Sequence, residues 1–190
     1  ELVIDGTAPN RIAARISQSA RSGKSQEAAD LARRSLMVAM TSPTLARSCL
    51  MAFERVGDKT RATALVDGMI RAGTIFGEAT AFAVRHLYRI GRGEEAYRLG
   101  TAAVAQSPVP DLRLSLETAR AALRADESPD DALALLQPFA ESAAKDVLFL
   151  KVYSEALLEA GQTKAAIETL EELVRLAPDL PSARNMLATA

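Results

Sequence analysis

Residues 147–180 read VLFLKVYSEALLEAGQTKAAIETLEELVRLAPDL, and this stretch decides the fold. Leu150, Tyr153, Leu157 and Leu158 recur at a helical interval, and so do Ala166, Ile167, Leu170, Leu173 and Val174. An apolar stripe with a period of 3.6 residues marks a helix with one buried face. Gly161 stands between the two stripes, and glycine tolerates the positive φ that ends a helix. Pro178 and Pro181 close the second stripe, because a proline disfavours helical backbone at the residue before it. The stretch reads as a helix over 146–160, a tight turn and a helix over 163–176.

Working outward, the same punctuation returns. Gly23, Gly57 and Gly91 are spaced by 34 residues, and Gly161 follows Gly91 by 70. Five residues after each lies a small residue: Ala28, Ala62, Ala96 and Ala166. The skipped member falls at Ala132, 34 before Ala166, with Asp126-Glu127 in place of the glycine turn and two extra residues absorbed near Pro108-Val109-Pro110. Pro108 and Pro178 keep the register too, each 12 residues beyond its alanine. Self-similarity at one interval is the signature of a repeat architecture.

Between these marks the pattern is helical, without strand alternation. Ser128-Pro129-Asp130-Asp131 reads as a helix start, with a capping serine, proline in the first helical position and acids at the positive end of the helix dipole. Pro138 falls inside the following helix and should kink or shorten it. The spacing predicts ten to eleven helices, with turns at Gly23, Gly57, Gly91, Asp126-Glu127 and Gly161, and no sheet beyond a stub at Leu2–Ile4. One helix pair cannot cover its own apolar face, so neighbouring pairs must stack. The small Ala28, Ala62, Ala96, Ala132 and Ala166 let helices approach closely.

Composition narrows the function. The 190 residues carry 23 Lys/Arg and 24 Asp/Glu, a net charge of −1. The balance conceals an asymmetry: residues 1–110 hold 15 basic and 10 acidic side chains, and residues 111–190 hold 8 and 14. One Cys and one His leave no multi-cysteine or paired-histidine metal motif, and no cofactor is implied. There is no stacking-aromatic platform, and the acidic half repels phosphate, so no nucleic acid is expected as a partner. No apolar run reaches about 18 residues and no charged-then-apolar leader is present, so no membrane insertion is expected of this stretch. It starts at Glu1 and stops within a helical pattern, which reads as a piece of a longer chain.

Residues that resemble chemical motifs have plainer readings. Ser22-Gly23-Lys24-Ser25 looks like the end of a phosphate loop, but Gln18 stands where the motif needs its first glycine, and 11–20 reads as helix. An inter-helix turn with a serine cap explains it. His86 lies among Phe82, Leu87 and Ile90 as a packing side chain without a fixed-spacing nucleophile or acid. Cys49 sits on the apolar stripe between Leu45 and Phe53 and reads as a small buried hydrophobe. The acid pairs Asp130/Asp131 and Glu171/Glu172 are sequence neighbours, which diverge on a helix. Arg33 and Arg34 read as a solvated outer face. No catalytic residue is expected, and the chain is not expected to be an enzyme.

A 34-residue helix–turn–helix period resembles the tetratricopeptide repeat. Leu150, Tyr153, Leu157, Gly161, Ala166, Leu170 and Pro178 sit at that family's spacing. The resemblance covers 9–42, 43–76, 77–110, 113–146 and 147–180, with a partial sixth repeat at 181–190 and a tail at 1–8. The first repeat departs most, with Ser19, Ala32 and Ser35 where larger apolar residues are usual. The resemblance implies an all-α, right-handed superhelical solenoid of antiparallel helix pairs, whose first helices line a concave groove. It further implies a non-catalytic scaffold binding a peptide or helix of a partner protein. By the family's geometry the groove would be lined by Arg47, Met51 and Arg55, by Phe82, Arg85, Tyr88 and Arg89, and by Arg124 and Lys151. Arg85 and Arg89 would address an acidic partner unless their pairing with Glu54, Glu78 and Glu94 uses them up, and Glu155 and Glu159 reverse the field further along. The alternative is an accessory domain of a larger bacterial glycosyl- or sulfo-transferase, or of a pilus, secretion or polysaccharide assembly on the cytoplasmic or periplasmic side of the envelope. Self-association through terminal helices is a third possibility.

Overall fold

The computed structural model describes residues 8–73, 77–109, 111–125 and 129–190. The expected stub at Leu2–Ile4, the turn at Asp126-Glu127 and the cap at Ser128 lie outside the described residues. Among those described there are twelve α-helices and no strand. The chain forms two compact units, Glu1–Leu87 and Tyr88–Ala190.

The first unit contains α1 (Ala8–Arg21), α2 (Ser25–Arg34), α3 (Leu36–Ala39), α4 (Pro43–Val56), α5 (Lys59–Ala72) and the start of α6 (Thr80–Arg89), which follows a 3₁₀ turn at Gly77–Ala79. Ser42 caps α4 and Asp58 caps α5, each accepting the backbone N–H three residues on. Ile16 on α1, Leu45, Leu50 and Phe53 on α4, and Leu65 and Met69 on α5 are all buried. The second unit contains α7 (Gly93–Gln106), α8 (Leu112–Arg124), α9 (Pro129–Leu136), α10 (Val147–Glu159), α11 (Thr163–Leu176) and α12 (Pro181–Thr189). Its core joins Leu116, Leu136, Phe149, Leu157, Leu170 and Leu173. Asp146 accepts the N–H groups of Leu148 and Phe149 at 2.8 and 2.9 Å and so starts α10.

The turn chemistry follows the glycine ruler. Gly23, Gly57, Gly91 and Gly161 all have φ between 71° and 87°, a region closed to most side chains. After Gly57 the Asp58 N–H reaches back to the Phe53 carbonyl at 2.9 Å. After Gly161 the Gln162 N–H reaches the Leu157 carbonyl at the same distance. Both are the six-to-one bond that satisfies an orphan carbonyl at a helix C-terminus. The alanines five residues on are 0–2% exposed at all five positions.

Two helices depart from the regular pattern. In the first repeat the second helix breaks at Ser35, whose φ and ψ are −102° and 5° and whose hydroxyl donates to the Leu31 carbonyl at 2.9 Å. A serine that bonds its own helix backbone competes with the ladder, which is why α3 is a separate four-residue piece and why the helices number twelve. Around Pro138, α9 stops at Leu136 and gives way to a 3₁₀ turn at Gln137–Phe139, so the proline shortens the helix. A correction applies to the turn at 22–25. Lys24, not a serine, precedes α2, and no side chain caps that helix.

Candidate functional site

The first helices of successive pairs carry the residues singled out above, and most are tied to the neighbouring first helix. In the first unit, Arg85 on α6 bonds Glu54 on α4 through two parallel contacts, Nε to Oε1 at 3.2 Å and Nη2 to Oε2 at 2.5 Å. A forked guanidinium–carboxylate pair is directional and stronger than a point contact. The Arg85 guanidinium also lies 4.9 Å from the Phe82 ring centroid, and that of Arg47 on α4 lies 5.7 Å from it. Phe82 is 4% exposed and is thus an anchor beneath two cations. Arg55 on α4 donates to the Ala20 carbonyl in the last turn of α1 at 2.7 Å, capping a helix end. Ser17 on α1 and Ser48 on α4 are 3.3 Å apart. Met51 is half-buried on the same helix.

In the second unit, Tyr88 at the end of α6 donates its hydroxyl to Glu117 Oε2 on α8 at 2.8 Å. Glu117 is 3% exposed and has Arg120 Nη1 at 3.7 Å. A buried carboxylate is tolerable only with such partners. Burial, together with the charge and hydrogen bond of Glu117, pushes the Tyr88 phenol up to about 12, so it stays a donor. Arg89 and Arg124 are exposed, and Lys151 and Glu155 are half-buried on α10 with Glu159 exposed one turn on.

Sequence reasoning placed Arg85 and Arg89 together as a two-pronged site. The structure gives Arg85 to Glu54, which offsets its charge, and leaves Arg89 exposed. The side chain of Glu78 lies outside the described residues, and Glu94 pairs with Arg98 on its own helix. The Arg85–Glu54 pair is the pairing the sequence left open, whereas the other ties were missed, though they carry a signal. Arg85 follows Glu54 by 31 residues, Ser48 follows Ser17 by 31, and Glu117 follows Tyr88 by 29. Each interval is close to one repeat, so polar pairs at that separation on first helices are the ones to look for.

The remaining residues have structural places. His86 is buried, with Nε2 2.8 Å from Thr63 Oγ1. The Thr63 hydroxyl also lies 2.9 Å from the Lys59 carbonyl, so the imidazole is held to α5 through Thr63. Cys49 is buried, and desolvation pushes its thiol up to about 12, far from a reactive thiolate. Arg33 is not simply solvated, since it pairs with Asp30 and approaches Asp58 at 3.6 Å. Among the described residues no group of three or more His, Cys, Asp or Glu side chains is placed to hold a metal ion, and no helix is long and apolar enough to cross a membrane.

Residues 147–190 match the family model of the tetratricopeptide repeat. No curated protein matches the chain. Among solved structures it is similar to PilW, a widely conserved type IV pilus biogenesis factor, with a TM-score of 0.77, 12% identity, and 98% of this chain and 89% of that one covered. It is similar to YrrB, a TPR protein with an unusual peptide-binding site, with a TM-score of 0.68, 13% identity, and 92% and 89% covered. MamA from Desulfovibrio magneticus gives a TM-score of 0.69 at 17% identity, with 93% and 98% covered. At these identities the likeness defines the fold. The chain is an all-helical repeat solenoid, and residues 147–190 match the tetratricopeptide repeat, a type of repeat that generally mediates contacts between proteins.

Proposed function

We propose that the chain is a non-catalytic scaffold that holds a peptide or helix of a partner protein against the exposed faces of its first helices. In the first unit the docking residues are Arg47, Met51, Arg55 and Arg85, with the buried Phe82 as the base on which Arg47 and Arg85 rest. In the second they are Tyr88, Arg89, Arg124 and Lys151. One observation carries the reading: the first helices are tied laterally by Arg85–Glu54, by Arg55 on Ala20 and by Tyr88–Glu117. Their faces are therefore fixed before anything binds. A preformed surface spends little of its contact energy on ordering itself. The likeness to a chain described as having a peptide-binding site supports the same use of the fold. The likeness to a pilus biogenesis factor supports placing the scaffold in an envelope assembly.

Arg89 and Arg124 are exposed in the second unit, and their charge at the surface is the contact this reading offers to an acidic partner. The test is capture of partners by the intact chain, followed by binding of the captured segment to Arg89→Ala with Arg124→Ala at low and high salt. Weaker binding with a shallower salt dependence supports the acidic-partner reading. Unchanged binding with the fold intact refutes it.

A further inference from the structure

On the scaffold reading above, we propose that α10 is where the partner docks. The docked segment is an amphipathic helix that presents, read along α10 from Val147, an apolar side chain, then a carboxylate, then two basic groups. The other first helices have committed their polar groups. Arg55 and Glu54 on α4, Arg85 and Tyr88 on α6, and Glu117 on α8 are each tied to a neighbouring helix. Helix α10 carries three charged side chains, Lys151, Glu155 and Glu159. None of the three side chains makes a hydrogen bond or ion pair among the described residues. Lys151 and Glu155 are one turn apart, where opposite charges can meet, but the cation lies N-terminal to the anion, which is the weaker order. Among the described residues no charged group on α8, α9 or α11, the helices packed against α10, reaches any of the three.

Apolar surface stands beside these charges. Val147 and Leu148 are 38% and 44% exposed, two of the four large apolar side chains exposed among the described residues. At 3.6 residues per turn, Val147, Leu148, Lys151, Glu155 and Glu159 fall within about a third of the helix circumference. The rest of the helix is turned inward: Phe149, Val152 and Leu157 are buried, and Tyr153 stacks on Phe149. The open face therefore reads apolar, positive, negative, negative over about three turns. A helix laid alongside, with its residues at the same intervals, sets each complementary group opposite its counterpart. Lys151 and Glu155 are half-buried, where charge is screened less than in open solvent. The sign of each incoming group therefore selects among partners, while Val147 and Leu148 supply apolar contact that carries no sign.

The probe is a labelled, helix-forming synthetic peptide with Leu, Glu, Lys and Lys at the intervals of Leu148, Lys151, Glu155 and Glu159. A second peptide has its Glu and Lys exchanged, and each is made in both chain directions. Binding to the intact chain is measured by fluorescence anisotropy in about 20 mM and about 500 mM salt. At low salt wild type should bind the first peptide, in one direction, about tenfold or more tightly than the exchanged one, and the preference should shrink at high salt. Lys151→Glu with Glu155→Lys and Glu159→Lys should invert the preference. The milder Lys151→Gln with Glu155→Gln and Glu159→Gln should abolish it, and circular dichroism checks that both variants fold. Leu148→Ala should weaken both peptides alike. Wild type that binds neither peptide, or both equally, overturns the inference, and so does a charge-exchanged variant that keeps the wild-type preference. The segment captured in the test above separates this inference from the scaffold reading: if it binds the glutamine variant with wild-type affinity, docking on α10 falls while the scaffold stands.

Discussion

Gly100 lies in the interior of α7, where glycine weakens a helix by about 1 kcal/mol relative to alanine. Replacing it with alanine should nevertheless destabilise the protein. A Cβ built there would stand 2.3 Å from Thr118 Oγ1 and 2.7 Å from its Cγ2 on α8. Thr118 cannot move aside cheaply: it is fully buried, and its hydroxyl donates to the Leu114 carbonyl at 2.7 Å. Overpacking of this kind costs roughly 1–3 kcal/mol, and a displaced hydroxyl forfeits about 1 kcal/mol more. Set against the helix-propensity gain, Gly100→Ala should lose about 1–3 kcal/mol net, which lowers the melting temperature by about 2–4 °C per kcal/mol for a chain of this size. The decisive measurement is a double-mutant cycle by urea unfolding with Thr118→Ala. Removing Oγ1 and Cγ2 makes room for the new methyl, so the double variant should be more stable than the sum of the single losses by about 1–2 kcal/mol. If Gly100→Ala raises stability, as it would at an exposed helix position, or if the two losses simply add, the close approach of α7 and α8 is wrong.

Three further outcomes are expected. Ala166→Leu should lower stability by roughly 1–3 kcal/mol through overpacking at a site with no exposed surface, and an unchanged urea midpoint would contradict the register of α10 on α11. Burial draws the Asp58 carboxyl upward, but the Arg61 amide and guanidinium and the charges of Arg61 and Arg33 prevail and hold it below its usual 3.8. Its contribution is thus present above that value and lost as pH falls through the lower, folded one, so Asp58→Ala should flatten the acid limb of the stability curve and cost about 1 kcal/mol at neutral pH as a lost helix cap. Cys49, with its thiol near 12, should resist a thiol reagent at pH 8 in the folded chain and react on unfolding; rapid labelling without unfolding would show that the thiol is not buried.

The repeat was legible because each repeat repeats its own constraints. Gly23, Gly57, Gly91 and Gly161 each need a left-handed backbone, and Ala28, Ala62, Ala96, Ala132 and Ala166 each need a close helix contact. Pro138 announced its break because a missing N–H is visible in the residue name. Ser35 did not, because a serine in a helix either faces solvent or bonds its own backbone, and only its surroundings decide which. Gly100 drew no reading from the sequence, since nothing near it in sequence names Thr118 as the side chain pressed against it. The first-helix face was legible as positions, but among partners only Glu54 was in view, and only as one of two alternatives for Arg85. Helix periodicity puts Arg85 on an exposed edge, whereas the choice of Glu54 over an incoming ligand depends on how adjacent helices are staggered. Arg55 shows the same limit more sharply, because its acceptor is a backbone carbonyl that no side-chain pattern records.

The lateral ties each span only 29–35 residues of chain. Closing a loop of that size costs little more entropy than closing a short one. Contacts of such short range give a low contact order, so ordering can nucleate in any helix pair and spread to the next without waiting for distant parts of the chain to meet. The stubby α9, eight residues long and followed by its 3₁₀ turn, offers that spread the least helix to propagate through. Ordering that moves along the second unit should therefore pause there, and hydrogen exchange should report α9 opening before α8 or α10 on either side of it.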